Sequence, residues 1–318
     1  MLFLLALKEM IMIIFSGGTG TPKLLNGLRK VVPEENLTVV VNTAEDLWVS
    51  GNLVTPDIDT VLYLLSNRID TSKWWGVADD SFRTHELMKS LGHSEKMMLG
   101  DLDRATHIMR SEQLRAGKTL SEATMELARS FGISSNVLPM SDDPVSTMIV
   151  TPDGAMHYQD FWLGNHGKPG VLDVYHDGVD AASISPAVLE ALENDDEVLL
   201  GPSNPITSIG PILAIPGMRE ILQKKKVIAV SPIIGNGPVS GPAGKLMNAR
   251  GMNVSSLAVA QLYQDFLDVF IIDERDSIDE SAFDELDCRV ICADTLMKNV
   301  DVSASLSEII IHEFQGMS

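Results

Sequence analysis

The chain has 318 residues, 45% hydrophobic and 21% charged, a globular composition rather than that of a disordered, fibrous or membrane protein. That length exceeds the usual single domain, so the expectation is one large α/β domain over residues 1–318 with a smaller insertion at roughly 134–185, or two closely joined halves. A net charge of −20 repels phosphate backbones and anionic lipid, which argues against nucleic-acid and membrane partners and requires any anionic substrate to be held locally.

The opening MLFLLALKEMIMIIF has the look of a secretory signal but fails as one. No basic residue precedes the apolar run, Lys8 and Glu9 interrupt it, and Ser16, Gly17 and Gly18 lead into a glycine loop rather than a cleavage site. Met1 to Ile11 is read as an extension, no later stretch has the apolar length to cross a bilayer, and a cytoplasmic location is expected. Met12 to Phe15 read as a buried strand. SGGTGTPK follows, then Leu24, Leu25, Leu28, Val31 and Val32 at helical spacing, then the strand Leu37 to Val41. This is a βαβ unit, whose right-handed crossover makes the sheet parallel. PDIDTVLYLL opens a helix that Asp57 or Asp59 can cap, and a further helix spans about Leu102 to Leu114 with Asp101 as its cap. Thr119 and Glu122 have capping-box spacing for a helix closing near Gly132.

VSTMIVT, a PDG turn and AMHYQDFWL predict an antiparallel hairpin added to the parallel sheet. From Glu197 onward EVLLG, VIAVS, VFIID and RVICAD are short apolar strands between helical patterns. The fold class is therefore α/β, a doubly wound, mostly parallel Rossmann-like sheet with a smaller inserted antiparallel and helical substructure. The two cysteines, Cys288 and Cys292, would stand about 13 Å apart along a strand, beyond disulfide reach, and are expected as core residues of a reducing compartment.

Three loops follow strands. Gly17, Gly18, Thr19, Gly20, Thr21, Pro22 and Lys23 run from the first strand into a helix start, where backbone amides can cradle phosphate. Lys23 stands where a dehydrogenase fingerprint needs its third glycine, and the Walker A pattern is not met either. Ser231, Gly235 and the run ending at Lys245 form a second anion nest with one ammonium, and Ser203, Asn204, Thr207 and Ser208 offer neutral partners for a base or ribose. A tight turn, a surface loop and ordinary turn residues are the respective bland alternatives. Asp46, Asp57 and Asp59 near such loops form a plausible Mg²⁺ cage, with helix capping as the rival for Asp57 and Asp59. In LGDLDRATHIMR, Asp103 and His107 lie one helical turn apart, close to Met98, Asp101 and Thr106. No Ser-His-Asp or Cys-His nucleophile arrangement stands out.

FSGGTGTPKLLNGL, NTAEDLWVSGNLVTPDIDT, GDLDRATHI, LPMSDDPVSTMIVT, GPSNPITSIGPIL and SPIIGNGPVSGPAGKLM, in this order, closely resemble the 2-phospho-L-lactate transferase family, CofD, of deazaflavin coenzyme F-420 biosynthesis. The resemblance implies a Mg²⁺-dependent transferase moving a phospholactyl or phosphoenolpyruvyl group from a guanosine diphosphate conjugate to the deazaflavin Fo, giving F-420-0 and releasing GMP. It also implies a homodimer. On that reading Gly18, Thr19, Gly20, Thr21, Lys23, Ser203, Asn204, Ser231, Gly235 and Lys245 face the nucleotide. Asp46, Asp57 and Asp59 face the metal, Asp59 being the general base, and Met98, Asp101, Thr106 and His107 face the acceptor with Asp59. Relatives tend to carry arginines after the second hairpin strand, where this chain has WLGNHGKPG with Lys168. A nucleotide-sensing protein of the same fold would keep the loops without turnover, and an oxidoreductase fits less well because the fingerprint is broken.

Overall fold

The computed structural model describes residues 11–235, 237–239, 241–276 and 280–317. Residues 1–10 of the expected extension, and Asn236 and Ser240 of the second glycine loop, lie outside the described residues. The chain runs β1 (Met12–Ser16), α1 (Gly20–Val31), β2 (Leu37–Val41), the small hairpin β3 (Leu47–Val49) and β4 (Asn52–Val54), then α2 (Pro56–Leu65), α3 (Arg83–Ser90), α4 (Asp101–Arg115) and α5 (Leu120–Ser130). β5 (Asn136–Pro139), β6 (Ser146–Thr151), β7 (Gly154–His157), β8 (Asp173–Asp177), α6 (Pro186–Asn194) and β9 (Glu197–Leu200) make up the middle. The last third holds α7 (Ile209–Ala214), α8 (Met218–Leu222), β10 (Lys226–Val230), the short pair β11 (Ile233–Ile234) and β12 (Gly237–Pro238), α9 (Ala243–Ala249), α10 (Ser256–Tyr263), β13 (Val269–Asp273), β14 (Arg289–Ala293) and α11 (Val300–Gly316).

Seven of these strands form one sheet, β14-β13-β10-β9-β1-β2-β5, with every neighbouring pair parallel. Helices cover both faces, so central strands are apolar without alternation. Ile13, Phe15, Val198, Leu200 and Phe270 enter one core, while Met12, Ile14, Val39, Leu199 and Ile271 enter the other. On the second face α11 lies against α1 at Gly27, where a Cβ would come within 2.2 Å of the Ser303 backbone. The capping box of α5 has both halves: Glu122 N–H donates to Thr119 Oγ1 at 3.1 Å, and Thr119 N–H to Glu122 Oε2 at 2.8 Å.

The hairpin of residues 146–157 forms, but it does not join the parallel sheet. Both edges of β6 are already paired, with β7 and β8, in a separate three-stranded antiparallel sheet. Its second arm also ends sooner than the pattern suggests, because Tyr158 and Phe161 are both buried at helical rather than strand spacing, and Asp160–Gly164 wind into a π-helical turn. The cysteines are likewise not core residues. β14 is the edge strand, with Cys292 exposed on it and Cys288 half-buried just before it. Capping differs too: Asp57 does not bond its own helix start, and Asp101 is the first residue of α4 with its carboxylate turned to α3, accepting from the Arg83 and Thr84 amides. In return Asp80, just before α3, caps α4 through the Leu102 and Asp103 amides.

Candidate functional site

The direction of strand succession reverses between β1 and β9, and the loops leaving their carboxyl ends open a crevice there. The two loops interlock. A Cβ on Gly20 would lie 1.9 Å from the Pro202 carbonyl oxygen, and one on Gly201 would lie 2.1 Å from Thr21 Oγ1. Thr21 N–H donates to Ser203 Oγ at 3.1 Å, and Ser203 Oγ–H donates to the Gly17 carbonyl at 2.5 Å. These glycines thus permit the contact of one loop with the other, besides any approach of a ligand. Gly18 adopts a left-handed φ of +56° and turns its N–H toward Asp57 Oδ1 at 2.8 Å.

Above the interlock lies a cavity of about 800 Å³. One wall carries Gly18, Thr19, Gly20, Lys23, Ser203 and Asn204, and Ser231 lies beyond them. The lining also has an apolar and aromatic part, with Trp75, Met97, Met98, Trp162 and Leu163. Thr19, at the N-cap of α1, makes no side-chain cap bond. Burial lowers the pKa of Lys23, whose Nζ lies 5.7 Å from the Trp74 ring centroid.

The acidic floor divides into two groups. In the first, α2 contributes Asp59 and Tyr63, and α4 contributes Asp103, His107 and Arg110, which share one face of that helix at i, i+4 and i+7. Arg110, fully buried, pairs bidentately with Asp59, and His107 Nε2–H donates to Asp59 Oδ2 at 3.1 Å. His107 Nε2 also lies 3.2 Å from Asp103 Oδ1, which accepts from Tyr63 OH at 2.7 Å. Burial alone would raise the Asp59 pKa, but Arg110 and then His107 outweigh it and hold it at about 2. Burial opposes the charge on His107, yet its bonds to Asp103 and Asp59 raise its pKa to about 9.

Asp57 and Glu45 form the second group. Asp57 accepts from the Gly18 amide and from Asn42 Nδ2 at 2.9 Å, and burial still raises its pKa to about 6. Glu45, accepting from Gln159 Nε2 at 3.2 Å, is pushed well above the carboxylate range by burial and by the Asp57 charge. Among the described residues no Lys, Arg or His pairs with either carboxylate.

These groups differ in what they can hold. Asp59, Asp103 and His107 each offer a ligand atom, all within 4.8 Å of one another, and could hold a metal ion. An ion there requires neutral imidazole and competes with Arg110 for Asp59. Two carboxylates balanced by Arg110 and protonated His107 already make a neutral network. Glu45 and Asp57 are two buried hard-oxygen donors with no cation of their own, the donor set that suits Mg²⁺.

Of the residues singled out in the sequence, Gly18, Thr19, Gly20, Lys23, Asp57, Asp59, Met98, Asp103, His107, Ser203, Asn204, Thr207, Ser208 and Ser231 line the cavity. Thr21 is buried behind the first loop, and Thr106 is buried on α4; neither lines the cavity. Asp46 is off the lining, with Oδ1 lacking a partner among the described residues. Asp101 is engaged with α3, and the Gly235 amide donates to Asp276 Oδ1. Lys245 donates to the carbonyls of Gly167, Lys168 and Pro169. Sequence reasoning passed over Glu45, Tyr63 and Arg110. The signal for Arg110 was present, since it continues the helical face that Asp103 and His107 begin.

Fold and crevice define the class first: a doubly wound α/β protein with glycine loops and buried carboxylates at its switch point. The sequence profile described as 2-phospho-L-lactate transferase CofD matches residues 12–303. The chain is 63% identical to the 2-phospho-L-lactate transferase of Methanosarcina barkeri over 303 residues, 95% of this chain and 98% of that one. It is 64% identical to that of Methanosarcina acetivorans (95% and 99%), and 45% identical to that of Methanocaldococcus jannaschii (95% and 97%). A crystal structure of a UPF0052-family protein from Bacillus halodurans superposes with a TM-score of 0.65 at 18% identity, over 96% of this chain and 99% of that one, a likeness of fold. The chain belongs to the 2-phospho-L-lactate transferase CofD family.

Proposed function

We propose that this chain transfers a 2-phospholactyl or phosphoenolpyruvyl group from a guanosine diphosphate conjugate to the ribityl hydroxyl of the deazaflavin Fo, giving F-420-0 and GMP. The observation that carries this reading is the mixed lining of one cavity, polar loop residues together with aromatic and methionine side chains. Thr19 and Gly20 at the start of α1, with Lys23, Ser203 and Asn204, suit a nucleoside diphosphate, and Trp75, Met97, Met98 and Trp162 in the same lining suit a flat ring. The hydroxyl oxygen attacks the phosphorus that bears the lactyl group, the bond from that phosphorus to GMP breaks, and the hydroxyl proton leaves to solvent. Such transfers depend on in-line positioning and charge neutralisation more than on strong proton abstraction.

Asp59, kept ionised by Arg110 and His107, accepts the attacking hydroxyl's hydrogen bond and orients it; its weak basicity is no obstacle to that task. The Met98 to His107 segment forms the acceptor side. Glu45 and Asp57 would hold Mg²⁺, which supplies positive charge beside the diphosphate. We place the enzyme in the cytoplasm and as a homodimer, the former in keeping with the finding that, among the described residues, no helix is long and apolar enough to cross a membrane. The test is incubation with Fo, the guanosine conjugate and Mg²⁺, followed by mass spectrometry. A phosphodiester adduct and stoichiometric GMP are expected, both abolished by EDTA and restored by Mg²⁺. No adduct under these conditions overturns the reaction, and full turnover in rigorously metal-free buffer overturns the roles of Glu45 and Asp57.

A further inference from the structure

Lys245 lies on α9, two residues after the cavity-lining Ala243, yet its ammonium points away from the glycine loop. An ammonium has three donors, and Lys245 directs them at three consecutive carbonyls: Gly167 at 2.8 Å, Lys168 at 3.2 Å and Pro169 at 2.5 Å. Its Nζ also lies 5.4 Å from the Phe161 ring centroid.

The carbonyls converge because of the local backbone. The π-helical turn at Asp160–Gly164 closes with Gly167 N–H donating to the Phe161 carbonyl at 2.9 Å, after His166 and Gly167 take left-handed φ values of +53° and +62°. A Cβ on Gly167 would stand 2.9 Å from the Trp162 ring, so this turn and the ring's position are fixed together. The helical turn thus ends in an electronegative cradle, and Lys245 fills it. Trp162, Leu163 and His166 of that turn line the cavity on one side, and Gly241, Pro242 and Ala243 line it beside α9.

We infer that Lys245 is a positioning residue, a latch that joins the turn of residues 160–167 to the start of α9, two segments of the cavity lining, and holds Trp162 and Leu163 against the ring of the bound acceptor. The inference rests on the proposed reaction for the identity of that ring, but the latch itself does not. Hydrogen bonds to a charged group are among the stronger ones, so opening the latch should weaken acceptor binding on the order of tenfold or more.

The test compares wild type with Lys245→Ala and Lys245→Met, each first shown to melt cooperatively. Hydrogen exchange should speed up in both variants within residues 165–170, at the hydrogen-bonded amides of Asn165, Gly167 and Lys168. KM for the acceptor should rise at least tenfold, with kcat within about threefold and donor KM little changed. Because Lys245→Ala lacks three carbons and the ammonium, n-propylammonium chloride should restore both exchange protection and KM, whereas propanol should not. Unchanged exchange at residues 165–170 overturns the latch. Faster exchange with an unchanged acceptor KM supports the latch but overturns the assignment of this part of the lining to the acceptor. A rise confined to donor KM, with exchange unchanged, would instead put Lys245 on the nucleotide phosphate.

Discussion

Asp59 illustrates how a partner changes what a substitution measures. As a lone residue at a helix start, its replacement by asparagine would leave stability nearly intact, since the two cap equally well. Its carboxylate instead compensates Arg110, which is fully buried, and Asp59→Asn should therefore cost about 3 to 5 kcal/mol by leaving that charge half-paired. Urea denaturation tests this, and a loss below about 1 kcal/mol would mean that the pair is not formed. His107 gives a prediction with a sign. Its pKa is raised from 6.5 to about 9, so its stabilisation is fully present below pH 6.5 and is lost as pH rises through about 9. At about 1.4 kcal/mol per unit the gap corresponds to about 3 kcal/mol, an upper figure for a group in a charged network. Stability should fall over that interval in wild type and stay flatter in His107→Gln; parallel profiles would show His107 neutral in the fold.

Elements were legible where one pattern dominated. β1, β2, β9, β10 and β13 read directly as apolar runs, because a strand buried on both faces has no polar face to confuse the period. The capping box of α5 was equally plain, since both of its partners are local. What escaped were long-range pairings: β8 beside β6, Arg110 beneath Asp59, and the exchange of caps between α3 and α4. That exchange reassigns Gly100. Its missing Cβ leaves room for the Asp80 carboxylate, which would otherwise be approached to 2.0 Å. Gly100→Ala and Asp80→Ala should each destabilise by about 1 kcal/mol, and the double variant by no more than the larger single value, since both remove one cap. Full additivity in urea denaturation would mean that they act separately.

The whole molecule carries a charge of −20, yet its proposed donor is itself anionic. Long-range repulsion then opposes encounter, while local groups such as Lys23 hold what arrives. Added salt screens the first effect over distances beyond about 10 Å and leaves buried contacts less affected. Stopped-flow association of guanosine diphosphate should therefore quicken, by up to a few fold, as sodium chloride rises from roughly 10 to 150 mM at fixed Mg²⁺. A nucleic-acid-binding surface would show the opposite slope, and a falling rate would point to a focusing patch around the crevice.

The interlock of the first glycine loop with the loop of Gly201 to Ser203 also sets a schedule for the nascent chain. Thr21 bonds Ser203 across a separation of 182 residues, and the contact cannot form until the second loop has been made. At about 5 to 20 residues per second, the ribosome delivers Ser203 some 10 to 40 s after Thr21. Through that interval β1 lacks its neighbour β9 and presents an unpaired apolar edge. The first glycine loop thus waits until well past the middle of the chain has been made before it acquires its shape, and an amino-terminal fragment ending before β9 would carry the motif without the crevice.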